Sequence, residues 1–147
     1  MSMVLEKKKP GTPINEEVVN RWLQELKFKS LERTDSGKWF FLNRYGDDVI
    51  QVNIGFYSHS PPTPPMLQIG SRFLDKPGKF KEGKLFKRLL QIQNASWEAK
   101  FGLASNGDVV LVVQRTATGL TVDDFQDMLS TLIEMYKQFH PECQRMV

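Results

Sequence analysis

The sequence predicts an α+β fold in the order α-β-β-β-α-β-β-α, with five antiparallel strands forming a sheet covered by helices. Three observations predict it. Asn106-Gly107 lies between Phe101-Gly102-Leu103-Ala104 and Asp108-Val109-Val110-Leu111-Val112-Val113. Asn-Gly accepts the positive φ of a tight turn, so the apolar runs on either side read as a β-hairpin. Residues 50–57 alternate, with Ile50, Val52, Ile54 and Phe56 set against Gln51, Asn53 and Tyr57, as in an antiparallel strand with one buried face. Three other stretches, around Trp22, Leu89 and Leu132, keep helical spacing instead.

Taken in order, residues 1–13 hold Lys7, Lys8, Lys9, Pro10, Gly11 and Pro13, a composition that reads as a flexible basic arm. A single domain is expected over residues 14–140, with 141–147 as a C-terminal tail. Asn15 suits an N-cap, Glu16 and Glu17 suit the positive end of a helix dipole, and Ile14 with Val19 has the spacing of a hydrophobic staple. Val18, Val19, Trp22, Leu23 and Leu26 continue that helix as an apolar stripe. Thr34-Asp35-Ser36-Gly37 and Tyr45-Gly46-Asp47-Asp48 carry turn chemistry, and Trp39-Phe40-Phe41-Leu42 between them reads as the first strand.

After the alternating strand, Ser60-Pro61-Pro62-Thr63-Pro64-Pro65 must be extended, because each proline fixes its own φ and disfavours helix in the residue before it. A stiff connector is the reading, with polyproline recognition by a partner as the alternative. Met66, Leu67, Ile69 and Phe73 mark the third strand, which Asp75-Lys76-Pro77-Gly78 breaks. The second helix is expected from about Glu82 to Trp97, with a broad apolar band of Leu85, Phe86, Leu89, Leu90 and Ile92, and with Lys84, Lys87 and Arg88 solvated. Thr121 can cap the third helix with Asp124 at the capping-box position. Its stripe of Val122, Phe125, Met128, Leu129, Leu132, Ile133, Tyr136 and Phe139 runs to Pro141, which is expected to end it.

The chain's 147 residues at 40% hydrophobic content suit one domain with one core. Its 20 basic and 17 acidic residues, net charge +3, describe a mixed surface and not a dedicated polyanion binder. The excess is local, at Lys7 to Lys9 and again at Lys76, Lys79, Lys81, Lys84, Lys87 and Arg88. Apolar runs such as Val109 to Val113 fall far short of the roughly 18 residues of a membrane span, and the first residues lack a signal peptide's apolar stretch. A cytoplasmic protein with no membrane partner is expected, and Cys143, the sole cysteine, agrees with a reducing compartment.

No residue constellation points to chemistry. His59 and His140 are isolated and read as solvated surface residues, since proton transfer needs a positioned partner. His140 with Cys143 supplies two metal ligands where a structural zinc site has about four. Asp47-Asp48, Asp123-Asp124 and Glu16-Glu17 read as turn or helix-start charge, and Gly70, Gly78, Gly83 and Gly102 match no phosphate-binding loop. The expectation is therefore no enzyme, no catalytic residue, no cofactor and no metal. A small-ligand site assembled from distant residues stands as a third reading. The one nucleic-acid candidate is the segment 76–88, where Lys79, Lys81, Lys84, Lys87 and Arg88 could neutralise phosphates and the interleaved Phe80 and Phe86 could stack on bases. Asp75 and Glu82 dilute its charge and Phe86 fits the buried stripe, so a solvated basic face is the preferred reading of it.

Leu85 to Asn94, the strand at Phe101-Gly102-Leu103, the hairpin from Asn106 to Leu111, and Gly119-Leu120-Thr121 leading into an apolar helix together resemble the YbjN-like branch of the type III secretion chaperone-like fold, found in small bacterial proteins. The resemblance covers Asn15 to Phe139. It implies an antiparallel sheet with packed helices, a homodimer and no catalytic machinery. Secretion chaperones bind extended segments of a protein client through apolar surface. The second helix contributes to dimerisation in such proteins, which makes Phe86, Leu89 and Leu90 the candidate interface here. The basic charge balance, the Pro-rich connector and the lysine arm depart from the general pattern. The expected function is a non-enzymatic, dimeric, chaperone-like or adaptor module that binds itself and an unidentified protein client. Weak nucleic-acid binding through segment 76–88 is the alternative.

Overall fold

Four long strands, consecutive in one antiparallel sheet, form the body of the structure. It is a computed structural model and describes residues 14–27, 32–33, 39–45, 48–57, 65–96 and 98–147. The elements are α1 (Glu16–Glu25), β1 (Glu32–Arg33), β2 (Trp39–Tyr45), β3 (Asp48–Tyr57), β4 (Met66–Leu74), α2 (Glu82–Ala95), β5 (Ala99–Leu103), β6 (Val109–Thr116) and α3 (Val122–Gln144). The sheet order is β1-β2-β3-β4-β6-β5, so the short strands β1 and β5 form its two edges. The α+β class and the antiparallel sheet are as expected, but the count of five strands is corrected to six among the described residues. The strand not anticipated, β1, is two charged residues with no apolar pattern to announce it, and it pairs with Trp39 and Phe40. The basic arm, the turn at 34–37, Gly46 and Asp47, His59, the Pro-rich run at 60–64 and Trp97 lie outside the described residues.

The alternation of β3 is realised. Ile50, Val52 and Ile54 are fully buried, and Gln51 and Asn53 sit on the opposite, wetter face. Ile54 stands level with Trp39 and Ile69, and Ile69 with Val113, so one apolar row crosses four strands. The helices close over this face. Leu85, Leu89 and Ile92 of α2 join Phe125, Met128, Leu129 and Leu132 of α3 in one core, and Trp22 of α1 lies with its ring 5.5 Å from Phe125. Between Arg72 and Leu74 the β4–β6 register shifts. That bulge allows the consecutive residues Phe73 and Leu74 both to be buried, which a regular strand would forbid.

Helix ends follow local chemistry at three of four sequence signals. The Asn15 side chain accepts the Val18 N–H at 3.1 Å. Thr121 Oγ1 accepts the Asp124 N–H at 3.2 Å while Asp124 Oδ2 accepts the Thr121 N–H at 3.0 Å, which closes the expected capping box. Helix α2 stops at Ala95, just short of the expected Trp97, because Ser96 turns to an extended conformation and its Oγ accepts the Ala99 N–H at 3.2 Å. The fourth signal fails. Pro141 does not end α3, which continues to Gln144. Loss of a helical N–H at proline costs about 3 kcal/mol, but the last turn carries fully buried Cys143, and Met146 and Val147 beyond it pack on the core. The stretch 141–147 set apart as a tail is thus helical to Gln144 and attached to the core.

The Asn106-Gly107 hairpin exists, but as a wider loop than a two-residue turn. Ala104 N–H donates to Asp108 C=O and Gly107 N–H donates to Ala104 C=O, both at 2.9 Å, leaving Ser105, Asn106 and Gly107 as the loop. Of these only Gly107 has positive φ, at 91°. This is the turn-plus-glycine-bulge arrangement that three-residue hairpins favour. Asn106 acts through its side chain instead, its Oδ1 accepting the Asp108 N–H at 2.9 Å.

Candidate functional site

The second helix presents its band in three depths. Leu85, Leu89 and Ile92 point into the core, Phe86 is half-buried at the margin, and Leu90 is 65% exposed. Beside it runs β5, where Ala99, Phe101 and Leu103 share a face and burial fades along the strand until Leu103 is 59% exposed. Phe86, Leu89, Leu90, Gln93, Phe101, Gly102, Leu103 and Val109 together line a shallow groove of about 180 Å³. Of the three interface candidates, Leu90 therefore stands on the surface, Phe86 forms a wall, and Leu89, only 4% exposed, is a core residue at the groove floor. Sequence reasoning missed Phe101, Leu103 and Val109 as groove residues. Their alternation was visible, but not that α2 covers only the first part of β5.

The backbone edge of β5 is itself occupied. Gln93 Oε1 accepts the Phe101 N–H at 2.7 Å, two residues along from the Ser96 bond to Ala99. Addition of a partner strand there would have to displace those side chains, so what lies open next to α2 is apolar side chain and not bare sheet edge.

The basic residues separate. Lys79, Lys81, Lys84 and Lys87 are exposed, as is Phe80 in full. Arg88 is 36% exposed at its side chain but is paired as well as solvated. Its Nε and Nη2 donate to Oε2 and Oε1 of Glu142 at 2.5 and 3.0 Å, joining α2 to the last turn of α3. The Arg88 guanidinium beside Glu142 holds that carboxyl below its ordinary value. Phe86 belongs to the groove and not to the basic surface.

Around the hairpin, Asp108 is buried and collects the Lys76 N–H at 2.9 Å, the Asn106 amide at 3.0 Å and Arg72 at 3.6 Å. Burial pushes its carboxyl up, but the Asn106 and Lys76 hydrogen bonds and the Arg72 charge outweigh this and leave it below the ordinary value. Arg115, in β6, pairs with Glu98 and lies 3.5 Å from Asp124, fixing the start of α3 to the sheet. Each of these charges is used in holding elements together.

His140 is half-buried and not the solvated residue expected. It stacks on Tyr136 with ring centres 4.6 Å apart and meets the edge of Phe73 at 5.5 Å. Burial pushes the Cys143 thiol up, which suits neither a nucleophile nor a metal ligand. Among the described residues no three of His, Cys, Asp or Glu come together as a metal site would require. The opposite face of the sheet forms a shallow concavity of about 630 Å³ lined by Asn53, Tyr57, Gln68, Gly70, Arg72 and Val112 among others, with Gln114 Nε2 donating to Gln68 Oε1 at 2.6 Å nearby.

No family profile matches the chain, and no curated protein matches it by sequence. Solved structures do. YbjN from E. coli, a candidate transcription regulator, superposes with a TM-score of 0.66 at 14% identity, over 91% of this chain and 96% of its own. The ExsC–ExsE complex gives 0.62 at 20% identity, over 86% and 93%. The type III secretion chaperone SycH of Yersinia pestis, solved with a stable fragment of a second protein, gives 0.57 at 12% identity, over 84% and 97%. The resemblance read from the second helix, the hairpin and the third helix thus holds as one of fold. The chain has the architecture shared by YbjN and the type III secretion chaperones.

Proposed function

We propose that this chain is a non-enzymatic, cytoplasmic, chaperone-like or adaptor module that self-associates and binds a protein client, with the groove between α2 and β5 as its principal contact surface. The observation that carries the reading is the pair Leu90 and Leu103, large apolar side chains left 65% and 59% exposed on either side of a floor made by Leu89 and Val109. Apolar side chains grouped in this way at the surface are the ordinary anchor of a protein contact. The fold adds support, because SycH is recorded with a bound protein fragment and ExsC with ExsE.

Sedimentation velocity of the full chain, with Leu90→Asp and Leu103→Asp alongside, tests this. Both side chains are exposed, so the variants should keep wild-type circular dichroism while the dimer is lost. A tagged chain should also retain from its native extract a protein partner that survives nuclease and that Leu90→Asp releases. A folded Leu90→Asp chain that still dimerises and still holds the partner rejects the groove, and a partner released by nuclease turns attention to the lysines.

A further inference from the structure

Phe80 stands at the apex of a β-turn in which Lys81 N–H donates to Gly78 C=O at 3.0 Å, so Lys79 and Phe80 occupy its two central positions. Its side chain is fully exposed at that apex. The turn is held from behind. Pro77 is buried, the Lys76 N–H is bonded to buried Asp108, and the Lys76 stem lies against Gly107, within 3.0 Å of where a Cβ there would sit. Lys79 and Lys81 lie beside Phe80 in the chain, with Lys76 before the turn and Lys84 on the first turn of α2, all exposed. Two carboxylates of this segment dilute that charge without balancing it: Asp75, 3.8 Å from Arg72, and Glu82, against the four lysines. Farther along α2, Arg88 is paired with Glu142, while Lys87 beside it is exposed.

We propose that this Phe80 tip is a peripheral docking point for an anionic lipid surface. A single ring projecting from a convex, positively charged end can enter the headgroup layer while the surrounding lysines face lipid phosphates. Single-stranded nucleic acid is instead held in grooves where several aromatic rings stack successive bases, and here the second candidate ring, Phe86, is turned into the α2–β5 groove. No helix among the described residues is long and apolar enough to cross a membrane. One ring and a few lysines give reversible binding, and the tip is separate from the residues proposed to hold a protein partner.

The test is co-sedimentation of the full chain with vesicles of phosphatidylcholine alone and of phosphatidylcholine mixed with phosphatidylglycerol, with a single-stranded thymidine oligonucleotide titrated in parallel. Binding is expected to the mixed vesicles only, weakening as salt is raised. Phe80→Ala and the pair Lys79→Gln, Lys81→Gln should each lower it by about tenfold or more. Phe80→Trp should retain it with a blue-shifted added emission, and Leu90→Asp should leave it intact. Because Phe80 touches no core residue, circular dichroism should not change. Absence of vesicle binding, equal binding to both vesicle types, or wild-type binding by Phe80→Ala overturns the proposal. Oligonucleotide binding that depends on Phe80 while the vesicles are ignored overturns it in favour of nucleic acid.

Discussion

The side-chain oxygen of Gln93, in the last turn of α2, accepts the backbone N–H of Phe101 on the outer edge of β5 at 2.7 Å. A helix thereby supplies the partner that a seventh strand would have offered. Replacing Gln93 by Ala leaves that N–H without its acceptor, and about 1 kcal/mol of stability should be lost. The freed edge should also favour association in register with another edge. Urea denaturation reads the first effect and concentration-dependent sedimentation the second. An unchanged midpoint would mean that water replaces Gln93 without cost.

Why this bond was not legible in the sequence while β3 was is a matter of range. Ile50, Val52 and Ile54 declare a one-sided strand because the signal lies in alternate neighbours, and the structure buries all three. The Thr121–Asp124 box is likewise a matter of three residues' spacing. Arg88, by contrast, finds Glu142 54 residues away, a partner that its local pattern of a solvated basic face could not announce. Pro141 is a sound stop signal locally, and the burial of Cys143 two residues later, which overrides it, depends on tertiary packing. Asn106-Gly107 announces a hairpin but serves both the two-residue and the three-residue loop, and only the register Leu103↔Val109 distinguishes them. The groove suffers in the same way. The apolar band on α2 was evident, yet which of Phe86, Leu89 and Leu90 remains at the surface is decided by where β5 lies.

Leu89 and Leu90 are adjacent in sequence and should behave oppositely. Leu89 is 4% exposed and belongs to the shared core, so Leu89→Ala should cost about 2–5 kcal/mol and Leu89→Asp should unfold the chain. In the monomer, at protein concentrations too low for self-association, Leu90→Ala should stay within about 0.5 kcal/mol of wild type, because its side chain is then largely in water. Guanidinium denaturation of the pair checks this. Equal losses would place both residues in the core.

Acid should destabilise the protein through three identified carboxylates. The Asn106 and Lys76 hydrogen bonds with Arg72 outweigh burial at Asp108, the Thr121 hydrogen bonds act on Asp124, and the Arg88 hydrogen bond acts on Glu142, leaving each carboxyl below its ordinary value. A carboxyl depressed in the folded state binds fewer protons there than in the unfolded chain. Its stabilisation is therefore complete above the ordinary value near about 4 and disappears as pH falls through the lower folded value. Melting temperature followed from neutral pH into acid should fall steeply below about pH 4. Asp108→Asn and Glu142→Gln should each start lower at neutral pH and show a shallower acid slope. An unchanged slope in both would mean that other groups carry the acid transition.

Cys143 reports on the end of α3. Its side chain is fully buried, burial pushes its thiol up with Glu142 adding to the effect, and thiolate is the form that reacts. A maleimide or disulfide reagent should therefore label the native chain only when the last turn opens, slower by a hundredfold or more than the denatured chain, which corresponds to an opening free energy of about 3 kcal/mol. The turn contains Pro141 and is tied to α2 by Arg88 and Glu142, so Arg88→Gln should remove that tie and speed labelling several-fold while global unfolding changes much less. A thiol raised in the folded state stabilises below the ordinary thiol value near about 8.5 and ceases to do so as pH rises above it, so labelling should accelerate with alkali more steeply in the native chain than in the denatured one. Labelling of Arg88→Gln at the wild-type rate would show that packing of Cys143, Met146 and Val147 alone holds the helix past its proline.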